Sequence, residues 1–238
     1  MAKITSYKPH TSGVPLGGIG SGCVELWPDG EFHSWQIYDP PRRTSLSHDR
    51  KVDDGEGSAG SLSFWVRMCR PGCKPVVRKL GMRTEAEDFT YRMFAWNKPV
   101  ERIDYDGRFP VCDLSYSDPG LPGKISFRAI SPFVSHDEDL SATPGFAVDL
   151  SVEAPGDGPL EVSILGILTP DFLKDTENTL FSQGSARGVF LRGNGGQLCI
   201  SLDGEWGIPT VKRLGRPFWK RGALLWIEGS GTADRTVL

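Results

Sequence analysis

Four groups of residues in this 238-residue chain are of a type that could do chemistry. The first is a glycine run, Gly13-Val14-Pro15-Leu16-Gly17-Gly18-Ile19-Gly20-Ser21-Gly22, whose backbone amides could cradle an anion. Its spacing is wrong for that. Neither GxGxxG nor GxxxxGK[ST] is present, and no helical pattern follows to aim its dipole at a phosphate. Five glycines in ten residues instead describe a backbone that turns through positive φ or lies against a surface where no Cβ would fit. Val14, Leu16 and Ile19 punctuate the run, so it is anchored, unlike a Gly/Ser linker.

The second group is thiol. Cys23, Cys69, Cys73, Cys112 and Cys199 are odd in number and in no disulfide-framework spacing, so reduced thiols are expected. Cys69-Arg70-Pro71-Gly72-Cys73 offers half a zinc knuckle, but a structural site takes four ligands and no second pair completes it. No metal and no cofactor are expected, and the segment reads as a turn between two strands. The third group is the histidines His10, His33, His48 and His136, which occur with no GxSxG elbow or Cys-His setting, so no nucleophilic triad is written. The fourth is carboxylate. Asp137-Glu138-Asp139 is the densest cluster among 30 Asp and Glu, and neighbours in such a loop point in different directions, as a solvated face does.

The elements that must position these residues are strands. Glycine (29) and proline (18) make up about a fifth of the chain, above the usual ~12%, which favours short strands and turns over helices. Val24 to Tyr38 reads as a hairpin about Pro28-Asp29-Gly30. Residues 42–60 are charged and Ser/Gly-rich, a long loop. Ser61 to Met68 alternates as a half-buried strand, with Leu62, Phe64, Val66 and Met68 on one side. Met82, Ala86, Phe89 and Met93 fall at helical spacing, so Arg83 to Phe94 is the one short helix expected, with a strand as the competing reading.

A turn is expected at Tyr105-Asp106-Gly107, then a strand from Lys124 to Ile130 with Ile125, Phe127 and Ala129 inward. Pro144 to Glu153 and Leu160 to Leu168 read as one antiparallel hairpin across Gly156-Asp157-Gly158, with Phe146, Val148, Leu150 and Val152 inward. Val189 to Arg192, Leu198 to Leu202 and Ala223 to Ile227 add short strands. The fold class is therefore all-β: an antiparallel β-sandwich of many short strands with long loops and at most one or two short helices, as a single domain over residues 1–238.

A net charge of -3 lacks the basic footprint of a nucleic-acid binder. The N-terminus has no apolar h-region and nowhere are there about 18 consecutive apolar residues, so neither a signal peptide nor a membrane span is written. A cytoplasmic chain is expected, which is compatible with peripheral membrane association.

Two blocks carry a resemblance. The glycine run followed by Gly30, Phe32 and Trp35 resembles the entry to the N-terminal domain of glycoside hydrolase family 116, the non-lysosomal glucosylceramidase and bile acid β-glucosidase family. Phe109-Pro110 leading to Tyr116-Ser117-Asp118, the Leu121-Pro122 restart and the close in Ser131-Pro132-Phe133 is similar to the same family, in the same order. Departures stand at Gly123, Ser135 and Ala154, which bear on subfamily and not on fold.

The resemblance implies a β-sandwich that precedes a helical (α/α)6 barrel, and in that family the barrel supplies the nucleophile and acid/base of a retaining β-glucosidase. No such helical half is expected in this chain, so no catalytic residue is assigned to it. The implied role is to brace the catalytic domain, of the same or a companion chain, over a glucoside or glycolipid substrate. The interface or cleft loop would carry Gly17, Gly18, Gly20 and Gly22, with Trp35 beside it. Two side chains could touch sugar: His33 and Trp35, which strict alternation would put on one face. The alternative is a free-standing carbohydrate-binding module, for which Trp27, Trp65, Trp206, Trp219 and Trp226 would supply stacking surfaces.

Overall fold

A computed structural model of the chain describes residues 2–4, 12–36, 61–82, 98–156, 158–169, 174–194 and 196–203. The expected loop at 42–60, the helix at Arg83 to Phe94 and the strand at Ala223 to Ile227 lie outside these residues, as do Trp206, Trp219 and Trp226. The chain divides into two compact units, Met1–Thr169 and Pro170–Leu238.

In the first unit, β1 (Ala2–Ile4), β7 (Arg102–Arg108), β8 (Val111–Ser117), β9 (Lys124–Ile130) and β10 (Ala147–Glu153) form a five-stranded sheet in the order β1-β7-β8-β9-β10. A second sheet runs β11-β5-β6, from β11 (Glu161–Thr169), β5 (Ser61–Cys69) and β6 (Val76–Lys79). A third joins β2 (Val14–Leu16), β3 (Cys23–Leu26) and β4 (Phe32–Gln36). Every pairing between these named strands is antiparallel. The one helix described is α1 (Glu138–Ser141), whose N-cap Asp137 accepts a hydrogen bond from the Leu140 amide at 2.9 Å.

The core follows from alternation. β9 is buried at Ile125, Phe127 and Ala129 and exposed between them, as its sequence predicts. Phe127 meets Phe64 of β5 at 5.4 Å between ring centroids and Phe32 of β4 at 6.4 Å, and Phe32 meets Phe64 at 6.3 Å. One aromatic cluster thus takes a ring from each of the three sheets, and the five-stranded sheet faces the other two across it as the layers of a sandwich do.

Three sequence expectations change. β5 is buried on both faces over its centre, because Trp65 and Arg67 are covered as well as Val66 and Met68. Arg67 tolerates this by reaching Glu161 on the adjacent strand. Tyr105-Asp106-Gly107 is not a turn but lies inside β7, which reverses at Phe109-Pro110 through a cis peptide bond. Gly107 is glycine because a Cβ there would meet the ring of Tyr105, two residues back on the same face.

The third change is the expected hairpin at Gly156-Asp157-Gly158. β10 pairs with β9 and β11 pairs with β5, so the chain leaves one sheet and enters another there. Arg70 holds this crossover, its guanidinium donating to the carbonyls of Pro155 (2.5 Å) and Gly158 (3.4 Å). β10 is an edge strand with Val148 exposed and only Leu150 and Val152 half-covered.

The second unit is a meander of β12 (Lys174–Gln183), β13 (Ala186–Asn194) and β14 (Gly196–Asp203). Phe181 and Phe190 meet tilted at 4.6 Å between ring centroids, and Arg192 lies 5.7 Å from the Phe190 ring centre.

Candidate functional site

The glycine run begins as β2, which is paired with β3 through Val14, Pro15 and Leu16. Past Leu16 it leaves the sheet and packs on residues 131–143. Ser131, buried, donates its hydroxyl to the Pro15 carbonyl (3.1 Å) and accepts from the Gly17 amide (3.3 Å). The Ile19 amide donates to the Ser141 carbonyl at 2.8 Å, and the Ser21 amide to the Gly18 carbonyl at 3.2 Å. These three amides are satisfied within the protein and do not point at an anion.

Each glycine has its own reason. Gly17, Gly20 and Gly22 take positive φ, at 140°, 75° and 94°. Gly18 does not, and it is glycine because a Cβ would land on the Thr143 carbonyl and the Ala142 backbone. Ser141 fastens the other side, its hydroxyl donating to the Val134 carbonyl (2.9 Å) and accepting from the Val134 amide (3.0 Å). The two sequence blocks that resemble one family therefore touch in space through Ser131.

Around this junction several apolar side chains are exposed, next to the exposed polar run from Ser135 to Asp139. Ile19 is 58% exposed, Leu140 46%, Phe109 48% and Phe133 42%. Phe109 and Phe133 meet edge to face at 5.3 Å, and the Ser131 amide donates to the Pro110 carbonyl at 2.8 Å, so the β7–β8 reversal belongs to the same rim. Sequence reasoning did not single out Ile19, Phe109, Ser131, Phe133 or Ser141 as functional. The signal was present for three of them, because Phe109, Ser131 and Phe133 stand in the second block.

His33 and Trp35 are not brought together. The β3–β4 ladder shifts register between Cys23 and Glu25, and Ser34 sits at φ 50°, so alternation breaks between the two residues. Trp35 is buried and donates its indole N–H to the Phe32 carbonyl at 3.3 Å. His33 turns to Asp29, with Nε2 2.9 Å from Oδ2, and lies over Trp27 at 4.2 Å between ring centres. Asp29 is buried and also accepts from the Glu31 amide at 2.9 Å, which fixes the turn. Trp27 and Trp65 are buried too, so neither presents a stacking face for a sugar.

Every resolved shift in acidity runs upward. Burial, then the Glu31 carboxylate, holds the Tyr116 hydroxyl well above its usual range, and burial does the same for Tyr105. Burial pushes the Cys112 thiol up to about 12. Between pH 9 and 12 the unfolded chain therefore releases a proton that folded Cys112 keeps. Stability is fully present below about pH 9 and falls by about 1.4 kcal/mol for each unit above it. Urea midpoints should decline more steeply from pH 8.5 to 10 in the native protein than in Cys112→Ala, and equal slopes would show that this thiol titrates freely.

Among the described residues no three His, Cys, Asp or Glu side chains gather as a metal site, and no helix is long and apolar enough to cross a membrane. A family model described as beta-glucosidase 2, glycosyl-hydrolase family 116 N-term matches residues 13–217. The match opens on the first glycine of the run and spans both compact units.

Proposed function

Because the chain belongs to the glycoside hydrolase family 116 N-terminal domain family, we propose that it is a non-catalytic β scaffold that braces a helical catalytic domain through the Gly17–Gly22 loop and its apolar rim. The family match covers most of both compact units, and in this reading they serve one N-terminal region. The observation that carries the reading is the set of exposed apolar side chains, Ile19, Leu140, Phe109 and Phe133, beside a loop whose Gly17, Ile19 and Ser21 amides are engaged within the domain. Such a surface is suited to apolar side chains of a partner rather than to the hydroxyls of a sugar. The glucoside or glycolipid would lie in the partner's cleft, with exposed, unobstructed Gly20 the part of the loop nearest to it. The five free thiols support a reducing, cytoplasmic setting.

The test is binding to the helical region encoded in the same or a companion chain. The double variant Phe109→Asp/Phe133→Asp should weaken the complex at least about tenfold, because each introduces an unpaired charge into an apolar contact. Unchanged affinity would remove the rim from the interface. Hydrolysis of an aryl β-glucoside by this chain alone, abolished by loss of a single carboxylate, would overturn the non-catalytic assignment. Calorimetry that detects glucosides or oligosaccharides on the isolated chain would favour a carbohydrate-binding module instead.

A further inference from the structure

We propose that Cys69 and Cys73 form a redox-responsive dithiol, closing to an intramolecular disulfide that locks the turn between β5 and β6. Cys69 ends β5, and Arg70-Pro71-Gly72-Cys73 makes a turn closed by the Cys73 amide donating to the Arg70 carbonyl at 3.0 Å. Pro71 presets its own φ, and Gly72 takes φ 78°, so the residue types suit a turn with positive φ at its third position. The backbone between the cysteines is thereby constrained in the reduced protein.

The Cys69 thiol already folds over this turn. Its sulfur is 3.3 Å from the Cys73 carbonyl oxygen and 3.5 Å from that of Arg70. The Cys73 sulfur is three bonds from the carbonyl carbon that Cys69 addresses, so the proposed link joins two side chains of one closed turn and crosses no strand pairing. Cys73 is exposed and Cys69 half-buried, which gives an attacking thiol and a resolving one. Cys112, by contrast, is fully buried.

The chemistry needs a disulfide oxidant, which oxidised glutathione supplies. The Cys73 thiolate attacks one sulfur of glutathione disulfide, whose S–S bond breaks and releases one glutathione thiolate, which takes up the proton that Cys73 gave. Cys69 then loses its proton to solvent, and its thiolate attacks the Cys73 sulfur and expels the second glutathione. Two protein thiols are oxidised to one disulfide and one glutathione disulfide is reduced to two thiols.

The consequence lies at Arg70, the residue next to Cys69. Its guanidinium holds the carbonyls of Pro155 and Gly158 where the chain passes from β10 to β11. A locked turn restrains that side chain's backbone and stiffens the crossover.

The test treats the protein with a glutathione redox series, followed by intact mass, thiol titration and peptide mapping, with hydrogen exchange on the two end states. The expected result is loss of two of the five titratable thiols, a mapped Cys69–Cys73 link and about tenfold slower exchange at residues 154–160. Cys69→Ser should instead accumulate a glutathione adduct on Cys73. Stable glutathione adducts on the native protein, or a disulfide involving another cysteine, would overturn the pairing. Link formation with unchanged exchange at the crossover would overturn the role of Arg70, as would equal slowing in Arg70→Ala.

Discussion

Asp118→Ala is expected to cost about 3–5 kcal/mol, a large fraction of the whole stability of an ordinary domain. The Asp118 side chain is fully covered. Its Oδ2 accepts from Arg78 Nε at 2.8 Å and its Oδ1 from the Gly120 amide at 2.8 Å. Arg78 stands on β6 and Asp118 just past β8, so the pair spans two sheets. Truncation strands a nearly buried guanidinium between layers, which is the costly way to break such a pair. Asp118→Asn keeps an acceptor for Gly120 and removes only the charge, and should lose about 1–3 kcal/mol. Urea unfolding of the three proteins checks the order, and a loss below about 0.5 kcal/mol for the Ala variant would show that Arg78 finds water or another acceptor. An Asp in a block shared with a glycosidase family invites a chemical reading, but its contacts here are structural.

Gly18→Ala should destabilise by about 3 kcal/mol, while Gly20→Ala, two residues away, should cost only about 1 kcal/mol. At Gly18 the obstacle is the backbone of Ala142 and Thr143 together with the Ser21 hydroxyl, so residues 142–143 must retreat and the Ile19 to Ser141 bond must stretch. At Gly20 nothing lies within 4 Å of the added carbon, and the cost is only that of φ 75° in a residue with a Cβ. Thermal unfolding resolves the two, since 1 kcal/mol moves the midpoint of a domain this size by about 2–4 °C. Equal losses at both positions would mean that the loop does not rest on residues 142–143.

This contrast also marks what the sequence could reveal. That the glycines served either positive φ or close approach was legible, but which served which was not, because the backbone obstacle at Gly18 comes from residues more than a hundred positions away. The β3–β4 hairpin was legible from Asp29-Gly30, and β9 from the alternation of Ile125, Phe127 and Ala129. Pairing partners were not. The pattern of Leu150 and Val152 suits any apolar layer, so it could not tell a hairpin with β11 from an edge position beside β9.

Polar sequence hid two other features. β12 opens Lys174-Asp175-Thr176-Glu177-Asn178-Thr179, with no apolar alternation, and it is a strand through its ladder with β13. Arg67 reads as a solvent-facing residue yet is buried beside its partner Glu161. At the candidate site, strict alternation placed His33 beside Trp35, and the irregularity at Ser34 undid it. A bulge of that kind has no reliable signature in residue type, since Ser34 is not the glycine that a positive φ would advertise.

The bonds from Ser131 and Ser141 to the glycine loop deprive it of a hinge. A flap that closed over a substrate would have to give up the contacts of Gly17 and Ile19 at each cycle and find replacements for them in the closed form. In the bracing role proposed above, the loop would act as a fixed jig against which a softer neighbour is shaped, and selectivity for a sugar would be tuned by what is seated on it while the jig itself stays constant.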